Sequence, residues 1–350
     1  MVIMKQVCFT EKRLVVPITS HTAMIHRFFQ FLKICPLWKG GLRKHRPTII
    51  KWIPRSLLLW LYRSPIDWKK LDIEIAHYLK GSEYGVNETK KKPKVIISVT
   101  SYPPRIPRIH YTIHSLLRQH TLPDEVVLWL AEEQFSNRDA DLPPQLLQLV
   151  HHGLTIKYCR DFKSFKKLVP SLKEYPDDII VTVDDDKIYF PDMLESLLDS
   201  YQKNDQYIHV HEAHRIFPGK DGKVGAFTST TCGMELRQDQ LTPSYRNILL
   251  GGTGCLYPPH SLHTDVTHEE LFMALAPTAD DIWFWAMAVL NGTKICVVDN
   301  KKYPLANEVS LYEDIVSPKG LKAINGPGGQ NDVQFDKVLR HYPVLTKRIV

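Results

Sequence analysis

From Val95 onward the chain alternates short β-branched runs with stretches of helical spacing. Val95-Ile96-Ile97-Ser98-Val99-Thr100 is nearly continuous in apolar residues, so it predicts a strand covered on both faces. The turn Ser101-Tyr102-Pro103-Pro104-Arg105 follows, and then Ile109, Ile113, Leu116 and Leu117 recur at helical spacing towards Gln119. Residues 125–130 and 154–158 predict a second and a third strand, and residues 163–174 a helix. The run Ile179-Ile180-Val181-Thr182-Val183 is a fourth strand, with a helix predicted over 192–201. This βαβαβ order predicts an α/β fold with a parallel sheet and right-handed crossovers. Beyond Tyr207 the pattern loosens. A strand is predicted at 208–211, a hairpin turn at 218–222, and helices at 269–276, 279–290 and 332–339.

Charge divides the chain where periodicity does not. Residues 1–94 hold 19 Lys and Arg against 6 Asp and Glu; with 45 and 38 in the whole, the other 256 residues hold 26 against 32. The basic segment also carries apolar clusters at 28–32, 49–53 and 57–62, interleaved with Lys39, Arg43, Lys44, Arg46, Lys51, Arg55 and Arg63. Two readings fit: amphipathic helices lying in a membrane interface, or a helical extension packed on the main domain with its lysines solvated. No recognition helix, RRM or zinc-finger pattern accompanies the charge, so no nucleic-acid partner is expected. The division predicts a basic N-terminal extension, 1–93, and a main domain, 94–350, with halves 94–207 and 208–350. Six scattered cysteines without a C-x-x-C pair predict reduced thiols, and with them a cytosolic setting. No apolar run approaches the roughly 18–20 residues that span a bilayer, and the first twenty residues lack a leader's apolar core.

The chemistry is concentrated after the fourth strand, where Asp184-Asp185-Asp186 stand together. Ligands of open α/β sheets bind beyond the carboxyl ends of such strands. Three adjacent carboxylates repel one another unless a cation lies among them, and a divalent ion carrying a phosphorylated ligand suits them. A solvated acidic turn is the plain alternative. Asp280-Asp281-Ile282-Trp283 supplies a second acidic pair at a helix start, suited to general-base work or to capping. Lys166 and Lys167 precede the acidic strand, placed either to reach a phosphate or to face solvent. His209 and His211 share one face of a strand at the spacing of a metal pair, or are ordinary sheet histidines. Gln330-Asn331-Asp332 reads as a helix cap. A P-loop and a G-x-G-x-x-G turn are both absent from the sequence, which argues against a kinase, an ATPase or a dehydrogenase.

The SYPPR turn after the first strand, the DDD after the fourth and the downstream Asp-Asp-x-Trp helix resemble, in this order, the GT-A glycosyltransferases. The nearest resemblance is to the family-2-like bacterial enzymes that build surface polysaccharides, over about residues 94–345. It implies a GT-A, Rossmann-like sheet flanked by helices, and transfer of a sugar from a nucleotide-diphospho-sugar to a hydroxyl of a polysaccharide or lipid-linked glycan. Thr100, Ser101, Tyr102 and Arg105 would then line the donor's base, ribose and phosphates, with Lys167 adding a phosphate contact. Asp186 would bind Mn²⁺ or Mg²⁺, aided by Asp184, while Asp184 and Asp185 serve the ribose or the metal's shell. Asp281 would be the catalytic base of an inverting reaction, with Asp280 as substitute. Gly251, Gly252, His214 and Arg215 would stand on the acceptor side, and His341 would offer a third metal ligand. The setting would be the inner face of the cell membrane, reached through residues 1–93. Two other classes remain open on the residues alone: a catalytically silent membrane-peripheral module that binds carbohydrate or nucleotide, and a Mg²⁺-dependent phosphotransferase, which the Lys187-Ile188 after the acids disfavours.

Overall fold

The structure, a computed structural model, describes residues 68–87, 92–219, 223–230, 240–299, 308–310, 324–325 and 329–350. The chain divides into two units, Met1–His77 and Tyr78–Val350. Of the first, the described part is the start of helix α1, Trp68–Tyr78, whose Leu71 and Ile75 are buried while Lys69 and Lys70 are exposed. The apolar clusters at 28–32, 49–53 and 57–62 lie outside the described residues. No helix among the described residues is long and apolar enough to cross a membrane.

The second unit opens with strands and helices in alternation: β1 Val95–Thr100, α2 Ile109–Leu116, β2 Glu125–Ala131, α3 Pro144–Gln148, β3 Leu154–Cys159, α4 Val169–Glu174 and β4 Ile179–Thr182. Short β5, Lys187–Tyr189, and α5, Met193–Tyr201, follow the acids. Then come β6 Ile208–Val210, β7 Ala213–Arg215, β8 Asn247–Leu249, β9 Cys255–Tyr257, α6 Glu269–Leu275, α7 Asp280–Asn291, β10 Ile295–Val297, β11 Glu308–Ser310, α8 Gln330–His341 and α9 Val344–Ile349. Seven strands form one sheet in the order β10-β6-β9-β4-β1-β2-β3. The pairs β1–β2, β1–β4, β2–β3 and β6–β10 are parallel, as the alternating pattern predicts. Strand β9 runs antiparallel to both neighbours, β4 and β6. That reversal is decisive for the site. It brings the residues before β9 to the same sheet edge as the residues after β4, with Thr182 opposite Cys255.

Successive residues of each central strand point to opposite faces, and both faces are covered. Ile96, Val127, Trp129 and Ile180 join one core with α7; Ile97, Val99, Val126, Leu128 and Val181 join the other with α2 and α5. Helix α7 is buried almost all round, from Ile282 through Val289, which accounts for its run of Trp, Phe, Ala and Met without a polar stripe. Residues 163–174 are not one helix. They divide into a 3-10 turn, Lys163–Lys167, and α4, because Pro170 near the start of α4 cannot donate to the preceding turn. Ser171 anchors this segment to the sheet: Trp129 Nε1 donates to its hydroxyl at 2.7 Å, and the Ser98 hydroxyl lies 2.8 Å away. Phe165 stacks on Phe272, ring centroids 4.2 Å apart, and both are fully buried. These contacts fix the turn from which Lys167 projects.

Candidate functional site

The acids after β4 meet the turn after β1 first, since these strands are neighbours with Ser98 opposite Thr182. Ser101 Oγ donates to Asp185 Oδ2 at 2.5 Å, and Arg105 Nη1 donates to Asp185 Oδ1 at 2.6 Å. Arg105 Nη2 also lies 3.1 Å from Asp186 Oδ2, so one guanidinium spans two carboxylates. Ser101 and Arg105 thus hold the acids rather than standing free to contact a donor. Thr100 is spent on the sheet, its hydroxyl donating to the Trp129 carbonyl at 2.8 Å. From this turn, exposed Tyr102 is the side chain that offers a face to a ligand, with the Arg105 guanidinium 5.6 Å from its ring centre.

The other wall comes from α7 and the approach to β9. Gly251 N donates to Asp281 Oδ1 at 2.9 Å, joining the glycine turn to the helix start. Asp280 does not cap α7: the N-cap is Ala279, with no side-chain cap bond. Its carboxylate instead accepts from Ser164 Oγ at 2.9 Å and pairs with Lys167 Nζ at 2.8 Å. The same Nζ lies 3.0 Å from Asp184 Oδ1. One ammonium group therefore bridges the acids of β4 and those of α7. Neither lysine of the pair is on an exposed helix face: Lys166 and Lys167 are both buried, and Lys166 pairs with Asp161. Tyr189, which the sequence gave no reason to single out, closes the ring. Its hydroxyl accepts from Asp184 N at 2.8 Å and donates to the Gly252 carbonyl at 2.9 Å. Two positions after Lys187 on the same strand face, it is tied to β5 by a three-residue alternation too short to read as a strand signal.

The proton affinities separate along these walls. Burial pushes the Asp184 carboxyl up, but Lys167 and Lys187 beside it prevail and hold it below the ordinary carboxylate value. Burial raises Asp185 despite Arg105 and Ser101. Asp281 is raised to about 7, by burial first and by its neighbour Asp280 second. Burial alone would lower Lys167, yet Asp184, Asp280 and Asp281 raise it well above its usual value, so it remains an ammonium group. Carboxylates in adjoining environments with proton affinities pushed apart are the pattern of divided acid and base roles.

The cluster also has room for a cation. Asp184, Asp185, Asp186, Asp280 and Asp281 face Lys167, Lys187 and Arg105, five formal negative charges against three positive. The surplus of two, carried on hard oxygen donors, fits one divalent ion of the Mg²⁺ or Mn²⁺ kind. A different group, His120, Asp192 and Glu195 at the start of α5, is the one among the described residues whose potential ligand atoms all converge within 4.8 Å. His120 is half exposed there and its Nδ1 lies 2.7 Å from Asp192 Oδ1, an ordinary surface pair.

Other sequence candidates lie away from these walls. His214 and Arg215 belong to the separate β7–β8 ribbon, where Arg215 donates to Asn247 Oδ1 at 2.8 Å and the His214 ring meets Phe227 at 5.1 Å. His209 is engaged by Ser200 at 2.8 Å and the Asn204 carbonyl at 2.9 Å, and His211 by Ser196 at 3.2 Å, so both are sheet histidines. His341 ends α8 on the surface. Asp332 does not cap α8, whose N-cap is Gly329; it receives Thr228 N at 2.7 Å.

Gly251 is confined by the site itself. A Cβ there would lie 2.7 Å from Asp281 Oδ1 and 2.8 Å from Lys167 Nζ. Gly251→Ala is therefore expected to lower stability by about 1–3 kcal/mol, the usual cost of overpacking. The shift of the urea midpoint at constant m-value measures it.

No protein-family model matches the chain, and no curated protein matches it by sequence. Among solved structures it is similar to the mannosyltransferase PcManGT from Pyrobaculum calidifontis in complex with GDP-Man and Mn²⁺. The identity is 16%, with 79% of this chain and 75% of that one covered, at a TM-score of 0.45. It is also similar to S. aureus TarS 1–349, at 16% identity, covering 72% of this chain and 65% of that one, with a TM-score of 0.43.

Proposed function

We propose that residues 94–350 form a glycosyltransferase domain of the GT-A type. It moves a sugar from a nucleotide-diphospho-sugar to a hydroxyl of a polysaccharide or lipid-linked glycan, with inversion. The observation that carries this reading is the split acid cluster: carboxylates with surplus negative charge at a strand end, facing a carboxyl raised to about 7 at a helix start. Asp186 and Asp184 would hold Mn²⁺ or Mg²⁺, which when bound neutralises charge developing on the leaving diphosphate. Tyr102 offers its exposed ring to the donor's base. Arg105, now bridging Asp185 and Asp186, presents a planar fork of the kind that pairs with phosphate oxygens. Asp281 takes the proton of the acceptor hydroxyl as that oxygen attacks, held in place through the Gly251 N–H. The basic residues 1–93 would keep the domain at the inner membrane face, where lipid-linked acceptors lie.

Calorimetry with UDP- and GDP-sugars, with Mn²⁺ and with EDTA, tests the reading. Binding of one donor that needs the cation is expected; no binding of any donor in either condition favours a silent module. The base assignment has its own signature. Asp281 acts only when ionised, so kcat/KM should rise about tenfold per pH unit below pH 7 and level off above it. A profile flat from pH 5 to pH 8 would remove Asp281 from the role.

A further inference from the structure

Lys167 is the one ammonium group touching both halves of the acid cluster. It is 5% exposed, lies 3.0 Å from Asp184 and 2.8 Å from Asp280, and crowds the same glycine Cβ position as the Asp281 carboxylate. A lysine buried this deeply is tolerable only when paired, and both pairings here are with acids of the site. It has no exposed face with which to meet a phosphate. What it does meet is the carboxylate set that would hold a divalent ion, so it and the ion compete for the same negative charge. It also ties the strand end to the first turn of α7, and with it the neighbour of Asp281. Three separate segments thus take their spacing from one side chain.

We propose that Lys167 is a positioning residue, an internal counter-cation that clamps Asp184 against Asp280 and thereby sets both the cation affinity of the acid cluster and the placement of Asp281. This rests on the reading of the cluster as the cation site of a transferase. It differs from a phosphate contact in sign. Removing a phosphate contact weakens donor binding and leaves the bare cation alone. Removing a resident counter-charge leaves more unbalanced carboxylate and tightens cation binding.

The test titrates Mn²⁺ into the full chain without donor, following the free Mn²⁺ signal by electron paramagnetic resonance. Lys167→Met should bind Mn²⁺ at least tenfold tighter than the parent, and Lys167→Met/Asp280→Asn, which removes one charge of each sign, should return near the parent. Should Lys167→Met not fold, Asp280→Asn gives the reciprocal arm: with one carboxylate lost, Lys167 presses on Asp184 alone and Mn²⁺ affinity should fall at least tenfold. Unchanged affinity in these variants overturns the inference, and unchanged affinity with a raised donor KM returns Lys167 to the phosphate. Absence of Mn²⁺ binding to the parent overturns the cation site itself, a failure visible before any variant is made.

Discussion

Asp281→Asn is expected to lower turnover by about a hundred- to ten-thousand-fold, the range lost with a positioned general base. Release of nucleoside diphosphate from the donor that binds would report it. The substitution is nearly isosteric, and the asparagine carbonyl can still accept from Gly251 N, as Asp281 Oδ1 does at 2.9 Å. What disappears is the capacity to take a proton. The raised proton affinity also shows that ionised Asp281 is disfavoured beside Asp280 and out of water. A neutral amide relieves both penalties, so the urea midpoint should hold or rise while activity collapses. Loss of stability in step with activity would mean that Asp281 is structural. Asp280→Asn makes the comparison sharper, because Asp280 already serves Ser164 and Lys167 and its carboxylate is committed. Greater loss of turnover from Asp280→Asn than from Asp281→Asn would move the base to Asp280.

The acids of this site are legible in the sequence because they are local. Three carboxylates after a β-branched run and two at a helix start need no tertiary information to be noticed, and the strands β1 to β4 declare themselves in the same way. Their counter-charges are not local. Lys167 stands 17 residues before Asp184 and more than a hundred before Asp280, so its burial follows from the turn at 163–167 and from Ser171 on the sheet. From spacing alone a Lys-Lys pair on a presumed helix looks like a solvated face. Strand β9 was hidden for a related reason: Cys255-Leu256-Tyr257 is three residues between a glycine turn and two prolines, too short for any periodicity. Its place beside β4, and its reversal, come from long-range pairing. Without that reversal Gly251 and Gly252 could not reach the acids, and their part in the site could be guessed only from resemblance. Ser101 and Arg105 were legible as polar groups in a nucleotide-type turn, but not as ligands of Asp185.

Asp186→Asn should separate function from folding in a second way. The substitution lowers the surplus negative charge of the cluster by one and removes a hard oxygen donor, so Mn²⁺-dependent donor binding should weaken by about a hundredfold or more. Altering groups that merely orient metal ligands already costs 10–100-fold, and Asp186 is proposed as a ligand itself. Calorimetry with the donor in Mn²⁺ measures this, and binding equal to the parent's would end the assignment. Folding should respond with the opposite sign. Asp186 is 4% exposed and shares Arg105 with Asp185, whose own bond to the guanidinium, 2.6 Å, survives the change. One buried negative charge fewer, with the cation still paired, leaves the metal-free protein at least as stable. Asp184→Asn supplies the contrast, since it takes from buried Lys167 one of its two partners and should destabilise the fold. Adjacent aspartates that differ in the sign of their effect on stability are what a site with resident cations at one end and a vacancy for charge at the other requires.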